Sequence, residues 1–263
     1  MGRNSLKSVM RLIDSANEKL SPEQSFLNDF KRSMELQNSK NSRKPSQSYK
    51  PSSMNCIRNM YYQIVGAEQD DGDTSYVLIG IVNQGSDIHE RIQQSVIDMK
   101  ENGMDCEYVN VERFIHQRDI KDVTVVAQVG AETKLKHDKL NMSFMCDGII
   151  KYKNKYYILE IKTETSSKWF SRKAVDPKHY NQATAYSIAL GLDNVMFLYI
   201  SRDTFDLKSY LFHVDDRMKY DVISKIEECD GYVKNLKVPP KPDNADNKLC
   251  QYCAYKKLCR KDG

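Results

Sequence analysis

Asp147, Glu160 and Lys162 stand where a pair of acids and an amine can meet. They lie in the stretch 144–162, FMCDGIIKYKNKYYILEIK, which reads as two strands about a turn at Lys153-Asn154-Lys155. Side chains alternate along a strand, so Glu160 and Lys162 project from one face. A turn centred on Asn154 sets position 147 opposite 160 or 161. Two carboxylates so placed offer hard oxygen ligands to Mg²⁺ or Mn²⁺, which polarises a phosphate and lowers the pKa of bound water. A lysine beside them orients or deprotonates the attacking water and offsets charge building on the phosphate. The competing reading is a half-buried strand in which charges alternate with apolar residues, since E-x-K alone arises by chance. Ile149, Ile150, Ile158, Leu159 and Ile161 weigh against it, because unpaired charges in so apolar a hairpin are costly.

Further polar groups flank this hairpin. Upstream, Gly85-Ser86-Asp87-Ile88-His89-Glu90 places His89 on a helix expected over 84–101. A neutral imidazole ligand tilts preference from Mg²⁺ toward Mn²⁺. Downstream, Asp176-Pro177 opens a helix that Gly191 closes, and Gln182 and Tyr186, four apart, share one of its faces. His179 lies on that face as a weaker candidate for phosphate contact. Trp169-Phe170, set among Lys168, Arg172 and Lys173, reads either as a stacking platform for single-stranded bases or as an anchor for its loop.

The chain has seven cysteines. Cys250, Cys253 and Cys259 form C-x2-C-x5-C, a spacing that reads as metal ligation more readily than as redox chemistry. Three thiolates leave one ligand to be found, and Cys₄ chemistry serves zinc as well as iron and sulfur. Cys106, Cys146 and Cys229 read as ordinary thiols.

In order, G-x-x-x-H, D, E-x-K and Q-x-x-x-Y over residues 85–186 resemble the RecB-like branch of the PD-(D/E)XK nucleases. The resemblance implies a restriction-endonuclease-like α/β core, a mixed central sheet flanked by helices. It implies that His89, Asp147, Glu160 and the backbone carbonyl of Ile161 hold the metal. It makes Lys162 the catalytic lysine and sets Gln182 and Tyr186 along the site. One departure is Cys146, which stands before Asp147 where the motif's name has proline. Relatives of the AddB type and the CRISPR-associated exonuclease type carry a [4Fe–4S] cluster whose first cysteine lies far upstream, and Cys56 occupies that place. The implied cluster ligands are Cys56, Cys250, Cys253 and Cys259, with Zn²⁺ the alternative occupant. The implied activity is a Mg²⁺- or Mn²⁺-dependent exonuclease on single-stranded DNA ends, leaving 5′-phosphates, in recombination, replication or CRISPR adaptation. A reading of another class stays open: a DNA- or partner-binding module that keeps the fold and does not cut.

The elements that must position these residues follow from composition and charge. With 263 residues, 40% hydrophobic and 29% charged, the chain has enough apolar material for one sizeable α/β domain or two small ones. Residues 1–53 carry a net +5 and 237–263 a net +4, around a middle of −5. Basic ends about an acidic core suit a protein that leads a polyanion to a carboxylate-lined site. Residues 1–36 are expected as a basic helical extension and a surface for a protein partner or DNA, with Leu6, Val9, Met10, Ile13 and Leu20 as a first stripe. Residues 37–53 have linker composition, 54–236 the nuclease core, and 237–263 the cysteine segment. Strands are expected at Tyr108–Ile115, Val123–Val129, Val195–Ile200 and Ser209–Val214, and a last helix at 216–235. No apolar run approaches the roughly 20 residues of a membrane span, and the chain reads as cytoplasmic. No G-x-x-x-x-G-K-[ST] is present, so any motor must be a separate protein.

Overall fold

The computed structural model describes residues 21–40, 47–70, 75–242, 248–251 and 253–262. The chain divides into two compact units, one of residues 1–43 and 73–81, the other of 44–72 and 82–263. In the first, helix α1 runs Pro22–Lys40, and the Glu35 carboxylate accepts from the Tyr76 backbone N–H at 3.1 Å. The apolar stripe expected at Leu6–Leu20 lies outside the described residues. Among the described residues, no helix is long and apolar enough to cross a membrane.

The second unit is a mixed α/β domain. Its five-stranded sheet runs in the order β1 (Cys106–Val109), β5 (Gly148–Tyr152), β6 (Lys155–Glu164), β7 (Asn194–Ser201), β8 (Leu207–His213). Only β6 and β7 are parallel. A parallel pair requires a crossover, which here carries helices α5 (Ser166–Ser171) and α6 (Tyr180–Leu190). A smaller antiparallel sheet, β2 (Val123–Val129), β3 (Glu132–His137), β4 (Met142–Cys146), precedes β5. Asp147 is the single residue between β4 and β5, at the junction of the two sheets.

Alternation along the strands divides the core. Ile149, Ile158, Val195 and Phe197 face one side with α6 and helix α7 (Asp216–Lys234). Ile150, Leu159 and Ile161 face the other, against Ile88, Ile92 and Val96 of helix α3 (Tyr76–Asp98). Each such aliphatic side chain contributes roughly 1.5–3 kcal/mol on burial, so a one-residue slip that turned both faces over is strongly disfavoured.

Three sequence expectations change. The strand expected over Tyr108–Ile115 ends at Val109, and helix α4 (Val111–Gln117) follows, because the Asn110 side chain caps it by accepting from the Arg113 N–H at 2.8 Å. Strand β3 was absent from the sequence reading, although Gly130 at φ 59° makes the turn before it. Within 37–53, residues 37–40 continue α1, and Tyr49 is 1% exposed. Tyr49 pairs its backbone with β4 at Met142, and its hydroxyl reaches Asp230 at 2.6 Å. Linker-like composition therefore hides one core anchor.

Candidate metal centre and cysteine cavity

The β5–β6 hairpin sets the geometry. Lys153 and Asn154 both take positive φ, 47° and 62°, as a two-residue hairpin turn requires, and Tyr152 pairs with Lys155. The ladder then runs to Gly148 opposite Leu159, so Asp147 falls beside Glu160 just beyond the end of β5. The Asp147 Oδ2 accepts from the Ile161 N–H at 2.7 Å. Within a strand a residue's N–H and C=O point to the same edge, so the Ile161 carbonyl also faces the gap that Asp147 occupies. Buried Gln93 and half-buried Tyr108 secure the Asp147 backbone, whose carbonyl accepts from Gln93 Nε2 at 2.8 Å and from the Tyr108 hydroxyl at 2.7 Å. Gly148 is required here, since a Cβ would come within 2.6 Å of the Tyr108 ring at φ +159°.

Glu160 is 2% exposed. Its Oε1 accepts from Lys162 Nζ at 2.5 Å and from Gln182 Nε2 at 2.9 Å, while Oε2 is buried with no partner. A buried, unsatisfied carboxylate oxygen costs roughly 1–3 kcal/mol or more, and a cation supplied from solution removes that cost. Burial raises the Glu160 pKa, Lys162 opposes the rise, and Asp147 adds to it.

Helix α3 brings His89 to the same point. Its Nδ1 lies 3.6 Å from Asp147 Oδ1 and 3.6 Å from Glu132 Oε1. Ligand atoms of His89, Glu132 and Asp147 all fall within 4.8 Å of one another. Burial pulls the imidazole pKa down, but hydrogen bonding and charge from Asp147 and Glu132 outweigh it and raise it to about 9. Glu132 is the residue that the sequence reading missed. Gly130 could have marked the turn, but nothing in the pattern of β3 tells which end of its hairpin faces the acids.

On the opposite face, α6 supplies Gln182 and Tyr186. The Gln182 Oε1 accepts from Lys162 at 3.1 Å, while Nε2 serves Glu160 and the Tyr186 hydroxyl at 2.7 Å. Tyr186 in turn donates to the Met145 carbonyl at 3.0 Å and stacks on Phe144. The sequence-predicted residues His89, Asp147, Glu160, Ile161, Lys162, Gln182 and Tyr186 are thus brought together. His179 is near them, but burial, with Lys162 next in effect, lowers its pKa to about 3, so it is a neutral ring at physiological pH. Trp169 is an anchor, 9% exposed with its indole N–H on the Tyr199 carbonyl, whereas the neighbouring Phe170 is 67% exposed.

Cys56, Cys250, Cys253 and Cys259 line one cavity of about 200 Å³. Cys56 caps helix α2 (Ile57–Ile64), and the others sit on or beside the short helices α8 (Lys248–Gln251) and α9 (Lys256–Lys261). All four are free thiols and half-buried. Burial raises the Cys253 pKa, with the other three thiols adding to the effect. Among the described residues, no three of these sulfurs lie within 4.8 Å of one another.

No family model matches the chain, and no curated protein does. Among solved structures it is similar to SSO0001, at 17% identity and TM-score 0.47, covering 91% of this chain and 98% of that one. It is also similar to LHK-Exo, an alkaline exonuclease from Laribacter hongkongensis, at 12% identity and TM-score 0.43 over 73% of this chain and 92% of that one. LHK-Exo in complex with dAMP gives 12% identity and TM-score 0.42 over 72% and 91%.

Proposed function

We propose that the chain is a divalent-metal-dependent deoxyribonuclease acting on single-stranded DNA ends. The observation that carries this reading is the buried, unpartnered Glu160 Oε2 beside Asp147, with Lys162 fixed between Glu160 and Gln182. His89, Asp147, Glu160 and the Ile161 carbonyl would hold Mn²⁺ or Mg²⁺, with Glu132 within reach. When bound, the cation polarises the scissile phosphate and lowers the pKa of water at the site. Lys162 orients the attacking water and balances charge on the phosphate oxygens, a role typically worth about 10²–10⁴ in rate. Gln182 holds the ammonium of Lys162 on one side and the carboxylate of Glu160 on the other, and Tyr186 fixes which way the amide points. In-line displacement then releases the 3′-oxygen and leaves a 5′-phosphate.

Residues 54–236 form the nuclease core in this reading, and the basic ends, 1–53 at +5 and 237–263 at +4, draw DNA toward it. A groove of about 730 Å³ supports a strand path, since it runs from Cys56, Cys250 and Cys253 to Lys168 and Lys178. Phe170, an exposed ring, offers a base a stacking surface.

The cysteine cavity would hold a [4Fe–4S] cluster that ties Cys56 to the C-terminal segment. A single zinc ion needs sulfurs about 3.8 Å apart, from Zn–S distances of about 2.3 Å. A cubane cluster takes its thiolates on separate irons, so it does not require three sulfurs within 4.8 Å of one another. Labelled single-stranded DNA incubated with Mn²⁺ and purified protein tests the nuclease, with Asp147→Ala as control. Degradation by wild type alone is expected. Equal degradation by both, or none by either, overturns catalysis, and salt-sensitive binding without cutting points to a binding module. For the cavity, stoichiometric zinc in a colourless anaerobic preparation overturns the cluster.

A further inference from the structure

The cysteine cavity has a one-sided charge. Four cations line it together with the thiols, namely Arg58, Lys241, Lys256 and Arg260, and among the described residues no carboxylate does. Four thiolates around a cluster core of charge +2 leave the assembly at −2, so a cavity that houses it benefits from positive charge. Lys241 and Arg260 are exposed, and solvent screens them; Arg58 is 2% exposed. Its Nε donates to the Tyr62 hydroxyl at 3.2 Å, and that hydroxyl donates to Asp262 at 2.7 Å, so the guanidinium is fixed within the C-terminal module. One residue on, Asn59 Nδ2 lies 3.5 Å from Cys253 Sγ, an N–H···S hydrogen bond. Cys56, Arg58 and Asn59 thus come from a single turn at the start of α2.

We propose that this turn, beyond supplying a ligand, tunes the cluster: Arg58 by its buried charge and Asn59 by donating to the Cys253 sulfur. The proposal rests on the cluster reading of the cavity. Both groups are positioning residues that act through the thiolates. Reduction adds an electron to an assembly that is already anionic, and a nearby cation or an N–H donor to sulfur favours the reduced form. The two residues together therefore raise the reduction potential.

The test uses the full chain purified without oxygen, with iron and sulfide counted and the cluster titrated electrochemically under absorption and electron paramagnetic resonance. Asn59→Ala is expected to keep the cluster and shift its potential downward. Arg58→Gln is expected to shift it further down or to lose the cluster faster in air, and Arg58→Lys to restore most of the wild-type value. Should both Arg58 variants fail to fold, Asn59→Ala decides. A loaded wild type whose potential Asn59→Ala and Arg58→Gln leave unchanged overturns this inference alone. A wild type without iron and sulfide overturns the cluster reading, and this inference with it.

Discussion

The candidate metal centre and the cysteine cavity are built on different plans. At the centre the scaffold is complete without a ligand: strand register places Asp147 against Glu160, and Gln93, Tyr108, Gln182 and Tyr186 hold the surroundings by hydrogen bonds. Around the cavity, hydrogen bonds tie the C-terminal segment to α2 and the loop after it, from Tyr62 to Asp262 and between Asp70 and both Ala254 and Lys257. The cavity's thiols come from the start of α2 and from two helices of 4 and 6 residues, lengths that do not hold a helix in water without help. On the proposed reading, a metal at the centre would meet ligands already placed, whereas a cluster in the cavity would add to the bonds that hold the C-terminal segment.

The sharpest break of this contrast is removal of a ligand on each side. Asp147→Ala should lower the rate of DNA degradation by at least about 10³, a loss on the scale of removing a catalytic metal or nucleophile-activating group. The fold should survive, because the one backbone donor left unpaired, the Ile161 N–H, costs about 1–3 kcal/mol. Circular dichroism beside the kinetic assay checks both parts. Cys253→Ser should do the reverse. Cluster loss should open residues 237–263 to limited proteolysis about 10² times faster, while Mn²⁺ affinity at the centre changes less than about twofold. If Asp147→Ala unfolds the core, or Cys253→Ser leaves the tail protected, the contrast fails.

The same contrast explains what could be read from the sequence. Asp147, Glu160 and Lys162 were legible because a two-residue turn at Lys153-Asn154 converts linear spacing into register. Gln182 and Tyr186 were legible because helical spacing puts four-apart residues on one face. Glu132 was not, since its approach depends on how the β2–β3 hairpin leans toward the β5 end, and no local pattern encodes that tilt. The strand read through Tyr108–Ile115 failed because Val, Phe and Ile favour strands, while one capping side chain, Asn110, turned the chain into a helix. Tyr49 was read as linker because serines, lysines and prolines surround it, whereas its burial is decided by Met142 and Asp230, far along the chain.

Acidity gives a milder way to sharpen the comparison. The His89 pKa is raised to about 9 in the metal-free protein from an ordinary 6.5. A raised pKa means stability that is fully present below about 6.5 and is lost as pH rises through 9. Metal binding runs the other way, because the imidazole must be neutral to act as a ligand. Mn²⁺ affinity should therefore climb by up to tenfold per pH unit from 7 to 9 and level off above. The Tm increment from saturating Mn²⁺ should grow over the same range. A flat calorimetric affinity between pH 7 and 9 would show that His89 is not protonated there or does not bind the metal.

Glu132→Gln yields the smallest effect and separates two roles for that residue. Its carboxylate lies 3.6 Å from His89 Nδ1, so it supports the imidazolium, and it also lies within reach of a metal between His89 and Asp147. The two roles act on affinity with opposite signs. Losing the imidazolium's partner lowers the His89 pKa and strengthens Mn²⁺ binding at pH 7, where the proton competes. Losing an oxygen ligand weakens binding at every pH. If Glu132 serves both purposes, affinity at pH 7 should change little, because the effects offset, while at pH 9.5, with proton competition gone, it should fall several-fold. An unchanged affinity at pH 9.5 with a gain at pH 7 would leave Glu132 as a partner of His89 alone, and the metal would then be held by the residues that strand register and helix α3 provide.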